Sequence, residues 1–172
     1  MPFEYRYQRR VEFSETDMAG LVHFSNFFRY METAEHEFFR SLGLSVHADT
    51  DGRLISWPRV HAECSYAAPL SFGDLVEVHL LVRHKKRKSI TYEFHFYKAG
   101  VDQPVARGAI TVVCVAIAVP TGKMSPIAIP DWIERQIEVA PADRLHCGST
   151  RLVGAERKDT AESGCARLET NS

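Results

Sequence analysis

Only one long stretch of this chain carries the period of a helix, and it is too apolar to lie on a surface. Phe27, Tyr30, Met31, Ala34, Phe38 and Leu42 recur at i, i+3, i+4, i+7, i+11 and i+15, which is one helical face. Phe28 and Phe39 widen that stripe, so the helix over 26–42 is expected to be buried on more than one side. Ser25 or Asn26 is placed to cap its start and Gly43 to close its end. A helix of this kind needs something to wrap it.

The flanking sequence supplies strands. Residues 5–13 alternate bulky and polar side chains, and 55–66 is β-rich but broken by Pro58, a mark of an edge or a bulge. Val76, Val78, Leu80 and Val82 alternate with Glu77, His79 and Arg83. Ile90, Tyr92, Phe94 and Phe96 alternate with Thr91, Glu93 and His95. Both have the period of half-buried strands. A turn over 99–104 leads to a last run over 105–119, and 130–139 reads as a short helix with Trp132 and Ile133 facing the core. Short links make consecutive strands antiparallel. The expected class is α+β: one long central helix wrapped by a curved antiparallel sheet of about five strands. Leu75 and Leu81 fall on the outer sheet face, which predicts a second subunit there.

All 10 Phe, 6 Tyr and 2 Trp lie between Phe3 and Trp132. Residues 141–172 hold no aromatic and ten charged residues, too little apolar surface to offset ordering entropy. The expected domain is therefore 1–140, with 141–172 a polar tail, mobile or docked on a partner subunit. Lys plus Arg is 21 against 22 Asp plus Glu, a net charge of -1. That balance excludes a main role on a nucleic-acid backbone. The longest apolar run, 109–119, is too short to span a bilayer, and the start has no signal core. Four cysteines without a C-x-x-C pair suggest a reducing, cytoplasmic setting. No histidine or cysteine spacing suits a metal, so none is expected.

The densest polar feature precedes the helix: Phe13-Ser-Glu-Thr-Asp-Met-Ala-Gly-Leu-Val-His-Phe-Ser-Asn-Phe. Asp17 and Gly20 lie in it. One reading is a turn, with Asp17 capping it and Gly20 supplying a positive φ. The other joins a carboxylate to the free amides and partial positive charge of a helix start. That pairing of base or nucleophile with an oxyanion site suits acyl transfer from a carbonyl compound.

The stretch 11–44 resembles the 4-hydroxybenzoyl-CoA thioesterase family, a branch of the hot-dog-fold acyl-CoA thioesterases. The likeness rests on Phe13, Thr16-Asp17-Met18-Ala19-Gly20 and Asn26-Phe27. Ser65-Tyr66-Ala67-Ala68-Pro69-Leu70, Phe72-Gly73-Asp74 and Arg87-Lys88-Ser89 extend it in the same order over about residues 5–120. The resemblance implies a hot-dog fold paired into homodimers and further into homotetramers. It implies hydrolysis of an acyl-CoA to a carboxylic acid and free coenzyme A, with no cofactor. Asp17 would be the catalytic carboxylate, as nucleophile or as general base. The backbone N–H of Phe24 would polarise the carbonyl, and His23 is a further candidate.

The basic turn His84-Lys85-Lys86-Arg87-Lys88 is either a solvated hairpin end or a cradle for coenzyme A phosphates. The resemblance favours the cradle, with Lys86, Arg87 and Lys88 in it. Phe27 is expected at the acyl group, and His61, Glu63 and Ser65 beside it. Glu32 and Glu35 on the helix are fallbacks for Asp17, against the plainer reading of exposed helix charge. The rival function is a hot-dog module that binds acyl-CoA or an acyl carrier protein without hydrolysing it.

Overall fold

The computed structural model describes residues 2–50, 53–118 and 121–145. β1 (Glu4–Arg10) leads through a 3-10 turn at Phe13–Glu15 to α1 (Asn26–Ser41). Three strands follow: β2 (Ala48–Thr50), β3 (Arg53–Ser56) and β4 (Arg59–Tyr66). Next come the hairpin β5 (Leu75–Lys86) and β6 (Ser89–Lys98), then β7 (Ala106–Val113), β8 (Val115–Ala118), β9 (Lys123–Pro126) and α2 (Asp131–Glu134). One sheet has five antiparallel strands in the order β1-β5-β6-β7-β4, as expected in number. A second sheet, β2-β3-β8-β9, was not foreseen.

Two chain breaks explain the second sheet. The run over 55–66 splits at Trp57-Pro58, and the run over 105–119 splits at Cys114. Pro58 has no N–H for a ladder; its carbonyl instead accepts from Val113 N–H at 3.1 Å. Cys114 N–H turns to Lys88 O and its own carbonyl to Ile127 N–H. The first run therefore passes from the small sheet (β3) into the large one (β4), and the second from the large sheet (β7) into the small one (β8). The first strand is also shorter than read, because Val11 N–H pairs with Asp74 O and the chain then winds into the 3-10 turn. The second helix ends at Glu134 rather than 139, since Lys85 Nζ takes the carbonyls of Glu134 and Ile137. Its Ile133 is buried as expected, but Trp132 is exposed.

α1 lies on the inner face of the five-stranded sheet. Phe27, Tyr30, Met31, Ala34, Phe38 and Phe39 are all buried, together with Val76, Val78, Leu80, Val82, Ile90, Tyr92, Phe94 and Phe96. The helical stripe read from sequence is the one buried. Each such side chain removes about 1.5–3 kcal/mol of apolar exposure. Gly43, with φ +70°, ends the helix by donating to Arg40 O while Leu44 N–H donates to Phe39 O. The start is not capped as expected. Ser25 is helical and makes no side-chain cap, and Asn26 sends its side chain to Glu15 O at 2.7 Å. The outer-face residue Leu81 is fully buried within the single chain, whereas Leu75 is partly exposed.

Gly108 on β7 leaves room for a helix side chain against the sheet. A Cβ there would lie 2.5 Å from Met31 Sδ and 3.0 Å from the Glu63 carbonyl. Glu35, one of the fallback acids, is only 1% exposed, so it is not a solvated helix charge. Arg59 bonds its Oε2 at 2.8 Å and reaches Glu32 at 3.0 Å. Desolvation raises the Glu35 pKa to about 7, against the pull of Arg59.

Two expectations follow from this packing. Gly108→Val should cost roughly 1–3 kcal/mol in denaturant unfolding, since the helix must move off β7. Between about pH 4.5 and 7 the unfolded chain ionises Glu35 while the folded chain holds its proton. Unfolding then releases a proton, so stability falls as pH rises through that window. Glu35→Gln should remove that fall, a difference of about 3 kcal/mol between acid and neutral pH; equal pH slopes in the two proteins would refute it.

Candidate active site

The strand-to-helix junction is held by Glu15. Its carboxylate accepts from Tyr30 Oη at 2.8 Å and from Glu12 N–H at 2.8 Å, and it pairs with Arg9. Its carbonyl accepts from His23 N–H at 2.9 Å and from the Asn26 side chain. The Arg9 guanidinium in turn lies 4.3 Å over the Tyr30 ring. One residue thus ties β1, the loop and α1 together. Burial and the neighbouring Glu15 push the Tyr30 hydroxyl well above its usual range, so it stays a donor.

From that anchor the chain makes a narrow two-stranded turn. Thr16 bridges Val22, and Asp17 N–H donates to Leu21 O at 2.8 Å. Asp17 Oδ1 accepts from Ala19 N–H at 2.8 Å and Leu21 N–H at 3.3 Å. Gly20 takes φ +74°, a conformation that side chains with a Cβ rarely adopt. Both halves of the turn reading are therefore present. They occupy only one carboxylate oxygen: Oδ2 has no partner among the described residues. Asp17 is exposed in the single chain, and Met18 beside it is fully so.

Next to this turn is a cavity of about 320 Å³. Leu21, Val22, Phe24 and Phe27 line one side, and Tyr66 to Leu70 the other. Phe27, expected at the acyl group, is both wall and core: it is 2% exposed and packs edge-on to Phe96 at 5.1 Å. Leu21 joins cavity to carboxylate, since its side chain lines the one and its backbone holds the other. The Phe24 N–H donates to nothing among the described residues. It is a spare donor where α1 begins, of the kind a developing oxyanion accepts. His23 is turned along the surface, with Nδ1 2.8 Å from Ser25 Oγ and its ring 4.4 Å from that of Phe24.

The structure does not bring every candidate together. His61, Glu63 and Ser65 do not line the cavity; His61 and Glu63 pair with each other at 3.5 Å on the exposed edge strand β4. Lys86, Arg87 and Lys88 form the β5–β6 turn, with Lys86 opposite Ser89. All three are exposed, and Lys88 Nζ bonds the Pro126 carbonyl at 3.1 Å. Asp17 sits at the other end of β5, because Leu21 bridges Ser71 just before that strand begins. Twelve residues of strand separate the two ends, about 35 Å at the usual rise. Glu15, Leu21 and Tyr66 were not singled out from sequence. Tyr66 was visible only as part of the Ser65–Leu70 segment, and nothing in the spelling of Glu15 marks it as an anchor.

Among the described residues, no group of three or more His, Cys, Asp and Glu is placed to hold a metal ion. None of the described helices is long and apolar enough to cross a membrane.

Comparison with known proteins places this arrangement. A 1,4-dihydroxy-2-naphthoyl-CoA hydrolase of Synechococcus sp. (strain WH7803) is 31% identical over 144 residues, covering 80% of this chain and 90% of the relative. A crystal structure of a 1,4-dihydroxy-2-naphthoyl-CoA thioesterase from Synechocystis superposes with a TM-score of 0.65 at 28% identity, covering 78% of this chain and 95% of the other. A gentisyl-coenzyme A thioesterase superposes with a TM-score of 0.64 at 33% identity, covering 78% and 100%. These neighbours share the hot-dog thioesterase fold. The family model described as the thioesterase-like superfamily matches residues 11–137. With most of its length inside that match, and with an acid turn, an apolar cavity and a spare helix-start amide in sequence order, the chain belongs to the thioesterase-like superfamily.

Proposed function

We propose that the protein hydrolyses an acyl-CoA thioester to a carboxylic acid and free coenzyme A. One observation carries this: Phe24, whose N–H has no partner among the described residues, lines an apolar cavity together with Leu21, whose own N–H donates to the Asp17 carboxylate. The acyl group lies in the cavity, its carbonyl oxygen accepts from Phe24, and Asp17 stands at the reacting carbon. Either Asp17 attacks, expelling the coenzyme A thiolate and leaving an anhydride that water cleaves, or it takes a proton from an attacking water. In both routes the C–S bond breaks and the thiolate gains a proton. The thioester is itself activated, so no cofactor is required.

The cavity walls are apolar, and their one phenol, that of Tyr66, already bonds the Phe24 carbonyl at 3.2 Å. This suits an uncharged acyl group. Its named relatives act on aromatic acyl-CoA esters, which makes aromatic acyl groups the first to try.

The working unit is a homodimer, which pairs further into a tetramer. β4 is exposed at every residue but Cys64, and Phe13, Met18, Phe24 and Phe72 are exposed apolar side chains in the segments around the acid turn. A catalytic carboxylate needs cover from bulk water. Pairing two β4 strands antiparallel gives that cover and reverses the second sheet. One subunit's basic turn then comes to the same end as the partner's acid turn. Lys86 and Arg87 can meet coenzyme A phosphates in this way, although in one chain they lie far from Asp17. Free thiols at Cys64 and Cys114 suit a reducing cytoplasm.

The test is thiol release from a panel of aromatic and aliphatic acyl-CoAs. Asp17→Asn should lower kcat at least 100-fold, about 3 kcal/mol of barrier, while a non-hydrolysable acyl-CoA thioether still binds. Binding without release in the wild type would instead favour the non-hydrolytic module. Lys86→Ala combined with Arg87→Ala should raise KM about tenfold and weaken its salt dependence; an unchanged KM would remove the cradle.

A further inference from the structure

β4 ends at Tyr66, and the side chain of that last residue crosses to the start of α1. Its hydroxyl donates to the Phe24 carbonyl at 3.2 Å. Its ring stands edge-on to Phe27 with centroids 4.9 Å apart, and it lines the apolar cavity. Phe24 has few other anchors. Its N–H has no partner among the described residues, and its ring is 60% exposed. Among the described residues, the only other bond at its carbonyl is a long one, from Phe27 N–H at 3.3 Å. On the N-terminal side the His23 carbonyl, which shares a peptide unit with the Phe24 N–H, accepts from Asn26 N–H at 2.9 Å, and His23 N–H donates to Glu15 O. The peptide that carries the Phe24 N–H is thus held from the helix through the His23 carbonyl, and the peptide that follows it is held from the sheet by the Tyr66 hydroxyl.

We infer that Tyr66 is a positioning residue: its hydroxyl holds the Phe24 carbonyl from the sheet while Asn26 holds the preceding peptide from the helix, so that Phe24 is pinned on both sides with its N–H toward the thioester carbonyl, and the Tyr66 ring bounds the acyl group. This rests on the hydrolytic reading above and deepens it. An oxyanion donor works by being aimed before the charge develops, and small misplacements cost large factors in rate. The hydroxyl is suited to the task. Burial and the adjacent Cys64 push its pKa up to about 12, so it remains a donor through the neutral range. The ring does a separate job from the hydroxyl, and the two can be removed separately.

Tyr66→Phe keeps the ring and deletes the hydroxyl. With an acyl-CoA that the wild type hydrolyses, kcat should fall about tenfold while KM and binding of the thioether analogue stay within twofold. Tyr66→Leu removes the ring as well and should add a rise in KM that is larger for aromatic than for short aliphatic acyl groups. Thermal unfolding of both variants is recorded beside the kinetics. Wild-type kcat in Tyr66→Phe overturns the inference. So does a fall in kcat matched by an equal loss of analogue binding or by unfolding at the assay temperature, since those outcomes mark a merely structural residue. A wild type that releases no thiol from any acyl-CoA defeats the hydrolytic reading itself, a different result from an active wild type with an equally active variant.

Discussion

The site depends on Glu15 being held from four directions. Arg9 on the first strand, Tyr30 and Asn26 on the helix and His23 in the loop all bond to it. Charge-assisted bonds of this kind are the stronger ones, and partial burial keeps them so. They fix where the strand stops and where the helix starts. The acid turn, the wall residue Leu21 and the Phe24 amide all lie within ten residues of that anchor. The anchor in turn depends on the buried helix, because Tyr30 reaches Glu15 only while its ring is packed in the core.

The apolar face of α1 is the second constraint. It forces a sheet to cover it, and the sheet's last strand, β4, has no neighbour on its outer edge among the described residues. An open edge of eight residues is a feature that chains normally cover or blunt. Here its charged residues, Arg59, His61 and Glu63, are already paired within the chain. The edge is free to accept a second copy without breaking those pairs.

Much of the architecture was legible in the residue pattern. The helical stripe from Phe27 to Leu42 and the alternation in 76–83 and 90–96 are strong periodic signals, and each marks an element that the structure contains. The small sheet was not legible. It arises from strands changing partners at Pro58 and Cys114, and partner choice is a long-range matter that a local period does not encode. The same holds in the site. Asp17 and Gly20 stand out because turns and carboxylate chemistry both use those residues at that spacing. Glu15 acts through partners up to 15 positions away on both sides of it and Tyr66 through one 42 positions away, so no single element's pattern shows them. Glu35 shows the opposite error: a carboxylate amid Glu32, His36 and Glu37 looks solvated, but Arg59 draws it inward.

Leu21 has one more consequence. The same residue presents its side chain to the ligand cavity and its backbone to the carboxylate, across a turn only two strands wide. Swapping it for a bulkier or smaller residue to admit a different acyl group would also shift the bond it makes to Asp17. The shape of the cavity and the setting of the carboxylate thus meet in one residue, whereas Ala67 and Ala68 on the opposite wall bond Val105 and not the acid turn.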